Sequence, residues 1–168
     1  MCPADLYPCI LTWKNETHQN KRGDKKMEIV RPGLITGNEV IDQQHQEILT
    51  LAREAMSRFD ESHGGNSSEF HTLLNNLATL AARHFHTEEA LLRRNGCPML
   101  EAHQKEHAAF SERILDLLMK AMAGNLDRSG LLSVMEDWTT HHLLVSDAAC
   151  SPYLQERKRS STTSAHAE

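Results

Sequence analysis

The stretch Ala81–His107 reads AARHFHTEEALLRRNGCPMLEAHQKEH. His84 and Glu88 stand four residues apart, and so do His103 and His107. Residues four apart lie one turn apart on the same helix face. Between the two pairs come Asn95-Gly96, a turn signal, and Pro98, a residue well suited to a helix start. The stretch therefore reads as one helix ending, a tight turn, and a second helix beginning. Each helix carries a pair of side chains able to chelate from one face. A short connection makes the two helices antiparallel neighbours.

Helical periodicity continues on both sides of this stretch. Four segments emerge, at about Glu39–Asp60, Ser67–Arg94, Pro98–Ala123 and Asp127–Asp147, and the last has room to run further. Gly64-Gly65-Asn66, Asn95-Gly96 and Gly124-Asn125 separate them. No strand pattern competes. The expected fold is all-α, an up-down-up-down antiparallel four-helix bundle.

Steps of three and four residues trace the stripe that each segment turns to the core. The first stripe is Ile41, His45, Ile48, Ala52, Ala55, Phe59. The second is Phe70, Leu74, Leu77, Ala81, His84, Glu88, Leu91. The third is Leu100, His103, His107, Phe110, Ile114, Leu117, Ala121. The fourth is Leu131, Met135, Trp138, His142, Val145. All are apolar except His45, His84, Glu88, His103, His107 and His142. In an antiparallel bundle these six fall at one level, near one end.

One histidine on an apolar stripe is more often a satisfied core residue than a ligand. Here five histidines and a glutamate share one level. A buried polar group without a partner costs ~1–3 kcal/mol, and a bare charge costs more. A metal cluster satisfies all six together. A closed zinc site uses four ligands, too few to account for this set. The other histidines, His18, His63, His71, His86, His141 and His166, fall off the stripes and read as surface residues. Asp147 follows His142 by five residues, which in a regular α-helix turns it about 140° away. A π-type turn would bring it back. Spacing alone leaves Asp147 open.

The 168 residues suit one domain, with 39% hydrophobic and 24% charged residues. The expected domain spans residues 27–155. Residues 1–26 are a polar extension and residues 156–168 a Ser/Thr-rich charged tail, and both are expected to be flexible and disordered. Met27 is an alternative start, which mass spectrometry of the native N-terminus would decide. The net charge is −5, with no basic face to suggest nucleic-acid binding. No apolar run is long enough to cross a membrane, and the first residues do not resemble a signal peptide. A cytoplasmic protein is expected. Cys2, Cys9, Cys97 and Cys150 form no Cys-x-x-Cys pair and read as free thiols, with Cys97 structural in its turn. No exposed apolar stripe is obvious.

Four pieces together resemble the hemerythrin family, its bacterial members in particular. They are Ile41-Asp42-Gln43-Gln44-His45; His84-Phe85-x-x-Glu88-Glu89; His103-x-x-x-His107; and Trp138-x-x-x-His142-x-x-x-x-Asp147. The resemblance runs from about Gly37 to Asp147, roughly two thirds of the chain. It implies a non-heme di-iron site whose seven ligands are His45, His84, Glu88, His103, His107, His142 and Asp147. It makes Asp147 a ligand despite its spacing. The cofactor implied is two iron ions, Fe2+/Fe3+, with an oxo or hydroxo bridge. His103, His107 and His142 would hold one iron, His45 and His84 the other, and Glu88 and Asp147 would bridge them. One position would stay open on the iron with two histidines.

The function so implied is reversible binding of dioxygen, for storage, delivery or sensing, and not an enzyme activity. The alternatives are an oxygen or nitric-oxide sensor acting through a separate, unknown protein partner, and a di-iron peroxidase or oxidase. Against oxidase chemistry, no Glu-x-x-His occurs in the sequence. The chain departs from the family pattern at Val30, Arg83 and Thr139-Thr140-His141. These leave the ligands in place and bear on oxygen affinity and autoxidation. Gln44, Glu89 and Glu106 are candidates to accept from the outer ring nitrogens of ligating histidines. Asp42 is a candidate to favour the start of the first helix.

Overall fold

The computed structural model describes residues 35–58 and 66–155. The two expected disordered tails, the stripe residue Phe59, the Gly64-Gly65 turn, Cys2, Cys9, His18, His63 and His166 lie outside the described residues.

Helix α1 is Glu39–Arg58, α2 is Ser67–Arg94 and α3 is Leu100–Met122. The fourth rod has three parts: α4 (Arg128–Asp137), a π-helical stretch (Trp138–Asp147) and α5 (Ala148–Leu154). No strand occurs among the described residues. Consecutive helices pack antiparallel, α1 on α2 and α2 on α3, and the fourth rod closes the bundle against α1 and α3. None of the described helices is long and apolar enough to cross a membrane.

Local chemistry sets the helix ends. Asn38 Oδ1 accepts from the backbone N–H groups of Val40 and Ile41 at 3.1 and 3.2 Å, which caps α1. Asp42 Oδ1 accepts from both N–H and Oγ1 of Thr36 at 2.8 Å, so it ties the entering chain to the helix it was expected to start. Asn66 caps α2 through Ser68 N–H at 2.9 Å. At the other end of α2 the chain turns through Gly96, whose φ of 70° suits a residue without Cβ. The N–H of Cys97 then donates to the carbonyl of Leu92 at 2.9 Å. Helix α3 starts at Leu100, and Pro98 belongs to the turn before it.

The core falls into two apolar clusters. The larger contains Ile48, Phe70, Leu74, Leu77, Ile114, Leu117 and Leu131. The smaller, at the opposite end, is Ile41, Leu92, Cys97, Cys150 and Leu154. A layer of buried polar residues lies between them along every rod. Each large side chain fully buried here contributes ~1.5–3 kcal/mol, and those sums hold the polar layer in register.

The stripes hold with local exceptions. Leu92, not Leu91, is the residue fully buried near the end of α2, and Leu100 is half-buried. Val145 is 52% exposed, and Leu143 and Asp147 take the inward places. The π stretch causes this shift. Its wider turn brings residues five apart, not four, onto one face. Thr139 Oγ1 and Thr140 Oγ1 donate to the carbonyls of Met135 and Glu136 at 2.7 and 2.8 Å. They occupy acceptors where the backbone pattern changes from α to π. An exposed apolar face, not evident in the sequence, does exist on α3, where Leu115, Met119 and Met122 are 58%, 59% and 70% exposed.

Candidate metal centre

His45 comes from α1, His84 and Glu88 from α2, His103 and His107 from α3, and His142 and Asp147 from the π stretch. The structure brings all seven side chains together, and each is at most 4% exposed. Their donor atoms form three overlapping groups, within each of which all the atoms lie within 4.8 Å of one another.

The five imidazoles present Nε2 to the shared space. Three of them gather on one side. His107 Nε2 is 3.1 Å from His142 Nε2, and Glu88 Oε2 is 3.0 and 3.3 Å from Nε2 of His103 and His107. The other two face each other across 3.2 Å, His45 Nε2 to His84 Nε2. Asp147 stands between the sides. Its Oδ1 is 3.3 Å from His103 Nε2 and 3.2 Å from His142 Nε2, while its Oδ2 is 3.2 Å from His45 Nε2. Glu88 Oε2 is 3.6 Å from His84 Nε2, so Glu88 also reaches both sides.

These spacings fit metal ions. Donors ~2.1 Å from a common centre and at right angles to each other stand ~3 Å apart. The polar accounting agrees. Glu88 Oε1 and both Asp147 oxygens are buried without a hydrogen-bond partner among the described residues. Orphaned carboxylate oxygens are expensive unless a cation takes their lone pairs.

The outer ring nitrogens orient the rings. His107 Nδ1 is 2.9 Å from Glu89 Oε1, His142 Nδ1 is 2.8 Å from Glu106 Oε2, and His84 Nδ1 is 3.4 Å from Gln44 Oε1. A carboxylate acceptor places the proton on Nδ1 and leaves the Nε2 lone pair directed inward. All three expected outer partners therefore stand where they were sought. Gln104 Nε2 donates to Glu89 at 2.6 Å and Ser146 Oγ donates to Glu106 at 2.9 Å, holding each acceptor in place. His103 differs, since its Nδ1 faces Cys150 Sγ at 3.9 Å. Among the described residues His45 Nδ1 has no hydrogen-bond partner.

Burial and hydrogen bonding set the charge states of the cluster. Burial, then the neighbouring His45, pushes His84 well below its ordinary range, so it is neutral near pH 7. Burial pushes Glu88 up, but hydrogen bonds from His103 and His107 outweigh it and hold the carboxyl well below its usual range. For His103, burial pulls down and the Glu88 hydrogen bond prevails upward. The hydrogen bond from His142 draws Glu106 down to about 2.

Aromatic walls close the space. Phe85 stacks on His107 with centroids 3.9 Å apart and planes 14° apart. Trp138 meets His45 and His84 edge-on at 5.7 and 6.1 Å. Its indole Nε1 is buried without a hydrogen-bond partner among the described residues. Phe85 lies off the traced stripe, and Cys150 lies beyond the last predicted segment, so periodicity identified neither. His86 and His141 are exposed and His71 is half-buried, and none belongs to the site.

Residues 36–154 match the family model for the hemerythrin HHE cation binding domain. The chain belongs to the hemerythrin family. Family members bind non-heme iron, and the buried His/Glu/Asp cluster is of the kind that holds it. A bacteriohemerythrin of Campylobacter jejuni is 26% identical over 125 residues, covering 74% of this chain and 92% of that protein. A bacteriohemerythrin of Pseudomonas aeruginosa is 27% identical over 115 residues, covering 68% and 73%. The crystal structure of a wild-type hemerythrin superposes with a TM-score of 0.61 at 26% identity, covering 72% of this chain and 92% of that one. Hemerythrins and this chain thus share the bundle that positions the cluster.

Proposed function

We propose that the chain holds two iron ions through His45, His84, Glu88, His103, His107, His142 and Asp147 and binds dioxygen reversibly. The observation that carries this reading is the division of Asp147. One carboxylate oxygen faces the side with three histidines and the other faces the side with two. Such a carboxylate is placed to bridge two cations. An iron pair there would supply the two electrons that dioxygen takes up on binding. The protein supplies the rest. The three-and-two split leaves the His45/His84 side short of one donor, which makes it the side for an added ligand. Trp138 walls that side and Phe85 the other, so bulk water is kept away. Five imidazole donors against two carboxylates favour the reduced pair over further oxidative chemistry. The domain boundaries 27–155 and a cytoplasmic location belong to the same proposal.

The test is the visible absorption of protein loaded with iron, reduced without air and then aerated. The expected result is two irons per chain and an absorption band that appears with oxygen and vanishes when oxygen is removed. A band absent in air, or irreversible conversion to ferric protein, overturns the proposal in favour of a sensor or a di-iron redox enzyme. A nitric-oxide adduct more stable than the oxygen adduct points to the sensor.

A further inference from the structure

Cys97 lies in the connection between α2 and α3, and Cys150 lies in α5, 53 positions later. Their sulfurs are 3.7 Å apart. Both belong to the small apolar cluster that caps the polar layer, with Cys97 7% and Cys150 1% exposed. A disulfide is ~2.05 Å long, so the sulfurs need close by less than about 2 Å. Cys150 Sγ also faces His103 Nδ1 at 3.9 Å. Three of the other four imidazoles have a side-chain oxygen at that position, and this one has an oxidisable sulfur.

We propose that Cys97 and Cys150 form a peroxide-oxidised dithiol site that crosslinks α5 to the α2–α3 connection and reports to the metal centre through His103. The more accessible Cys97 sulfur attacks hydrogen peroxide. An S–O bond forms, the O–O bond breaks and water leaves. Cys150 sulfur then attacks Cys97 sulfur. The S–S bond forms, the S–O bond breaks and a second water leaves. Two thiols and one peroxide give one disulfide and two waters, with both thiols oxidised and the peroxide reduced. The crosslink removes the S–H of Cys150, the group that lies 3.9 Å from His103 Nδ1. Bond formation stands on the fold alone, and the effect on the metal rests on the proposed role of His103.

The test uses the full chain carrying Cys2→Ser and Cys9→Ser, so that only the pair of interest remains. The protein is loaded with redox-inert zinc and given one equivalent of hydrogen peroxide. Peptide mapping is expected to find one Cys97–Cys150 disulfide per chain, formed in the folded protein and reversed by dithiothreitol. Thiols that stay reduced, sulfinic acids in place of the disulfide, or a disulfide formed only after denaturation overturn the site. Iron-loaded protein oxidised with diamide is expected to show a shifted ferric absorption that Cys97→Ser and Cys150→Ala lack. A shift that persists in both variants overturns the link through His103. Iron stoichiometry, read separately, reports failure of the metal proposal without touching the mapping result.

Discussion

Asp147 Oδ1 stands 3.2 Å from Nε2 of His142, the residue five positions before it in the same rod. A regular α-helix would turn those side chains about 140° apart. The π stretch Trp138–Asp147 brings them together. Asp147→Asn keeps the size and removes the charge. It is expected to weaken metal binding by at least ~10-fold, since outer partners alone are worth 10–100-fold. Metal analysis after dialysis against a graded chelator checks it, and undiminished retention removes Asp147 from the site.

His103→Ala and Glu88→Ala should lose metal and stability together, because binding energy at such a site is folding energy. His71→Ala, at a half-buried position early in α2, should change neither. Metal content and thermal midpoint with and without metal distinguish the two classes. Full metal content in the first pair would show the assignment to be wrong.

Glu89 and Glu106 touch no shared donor space but accept from the outer nitrogens of His107 and His142. Glu89→Gln and Glu106→Gln should leave the bundle folded and lower metal affinity by ~10–100-fold. Exposed His141, 3.9 Å from Glu106, makes no such hydrogen bond, so His141→Ala should have little effect. Competition titration against a chelator of known affinity ranks the three.

Acid should destabilise the metal-free chain in two stages. His84 titrates lower when folded than when unfolded. The unfolded chain therefore takes the proton first, and stability present above about pH 6.5 is lost as pH falls. His103, shifted upward, acts in the opposite sense and at higher pH: its contribution is fully present below about pH 6.5 and is lost as pH rises through its raised folded value. Glu106 is drawn from 4.5 to about 2, so its contribution is present above about pH 4.5 and lost as pH falls toward 2. Glu106→Gln should make that lower limb shallower in denaturant titrations, with Glu88 carrying part of what remains. An unchanged limb would show that Glu106 does not carry it.

Gly130 lies in the first turn of α4, where a Cβ would stand 2.7 Å from Asp127 Oδ2 and 2.8 Å from Leu117 Cδ2. Asp127 is held by Lys120 and by its cap on Gly130 N–H, and Leu117 is buried. Alanine normally gains up to ~1 kcal/mol over glycine in a helix. Here overpacking, ~1–3 kcal/mol, should outweigh that gain. Gly130→Ala is expected to lower the denaturation midpoint, and a raised midpoint would show that the neighbours yield.

The sequence by itself determined the bundle and most of its polar layer. Stripe spacing places His45, His84, Glu88, His103, His107 and His142 inward because a helix repeats its face every three to four residues. That logic depends on the α-helical period, and it stops where the period changes. At Trp138–Asp147 the π stretch turns Val145 out and Asp147 in, whereas the α-helical period put Val145 on the inward stripe and left Asp147 open. Resemblance to the family supplied Asp147, and the structure shows where its two oxygens point. The outer contacts were legible only as candidates. Gln44, Glu89 and Glu106 read equally well as a solvated helix face until neighbouring helices set the distances. The Cys97–Cys150 approach was not legible at all. It joins a turn to a helix 53 positions away, and such a meeting is decided by how the last rod packs across the end of the bundle. Local sequence carries the period of each helix, and only tertiary packing decides which distant side chains meet.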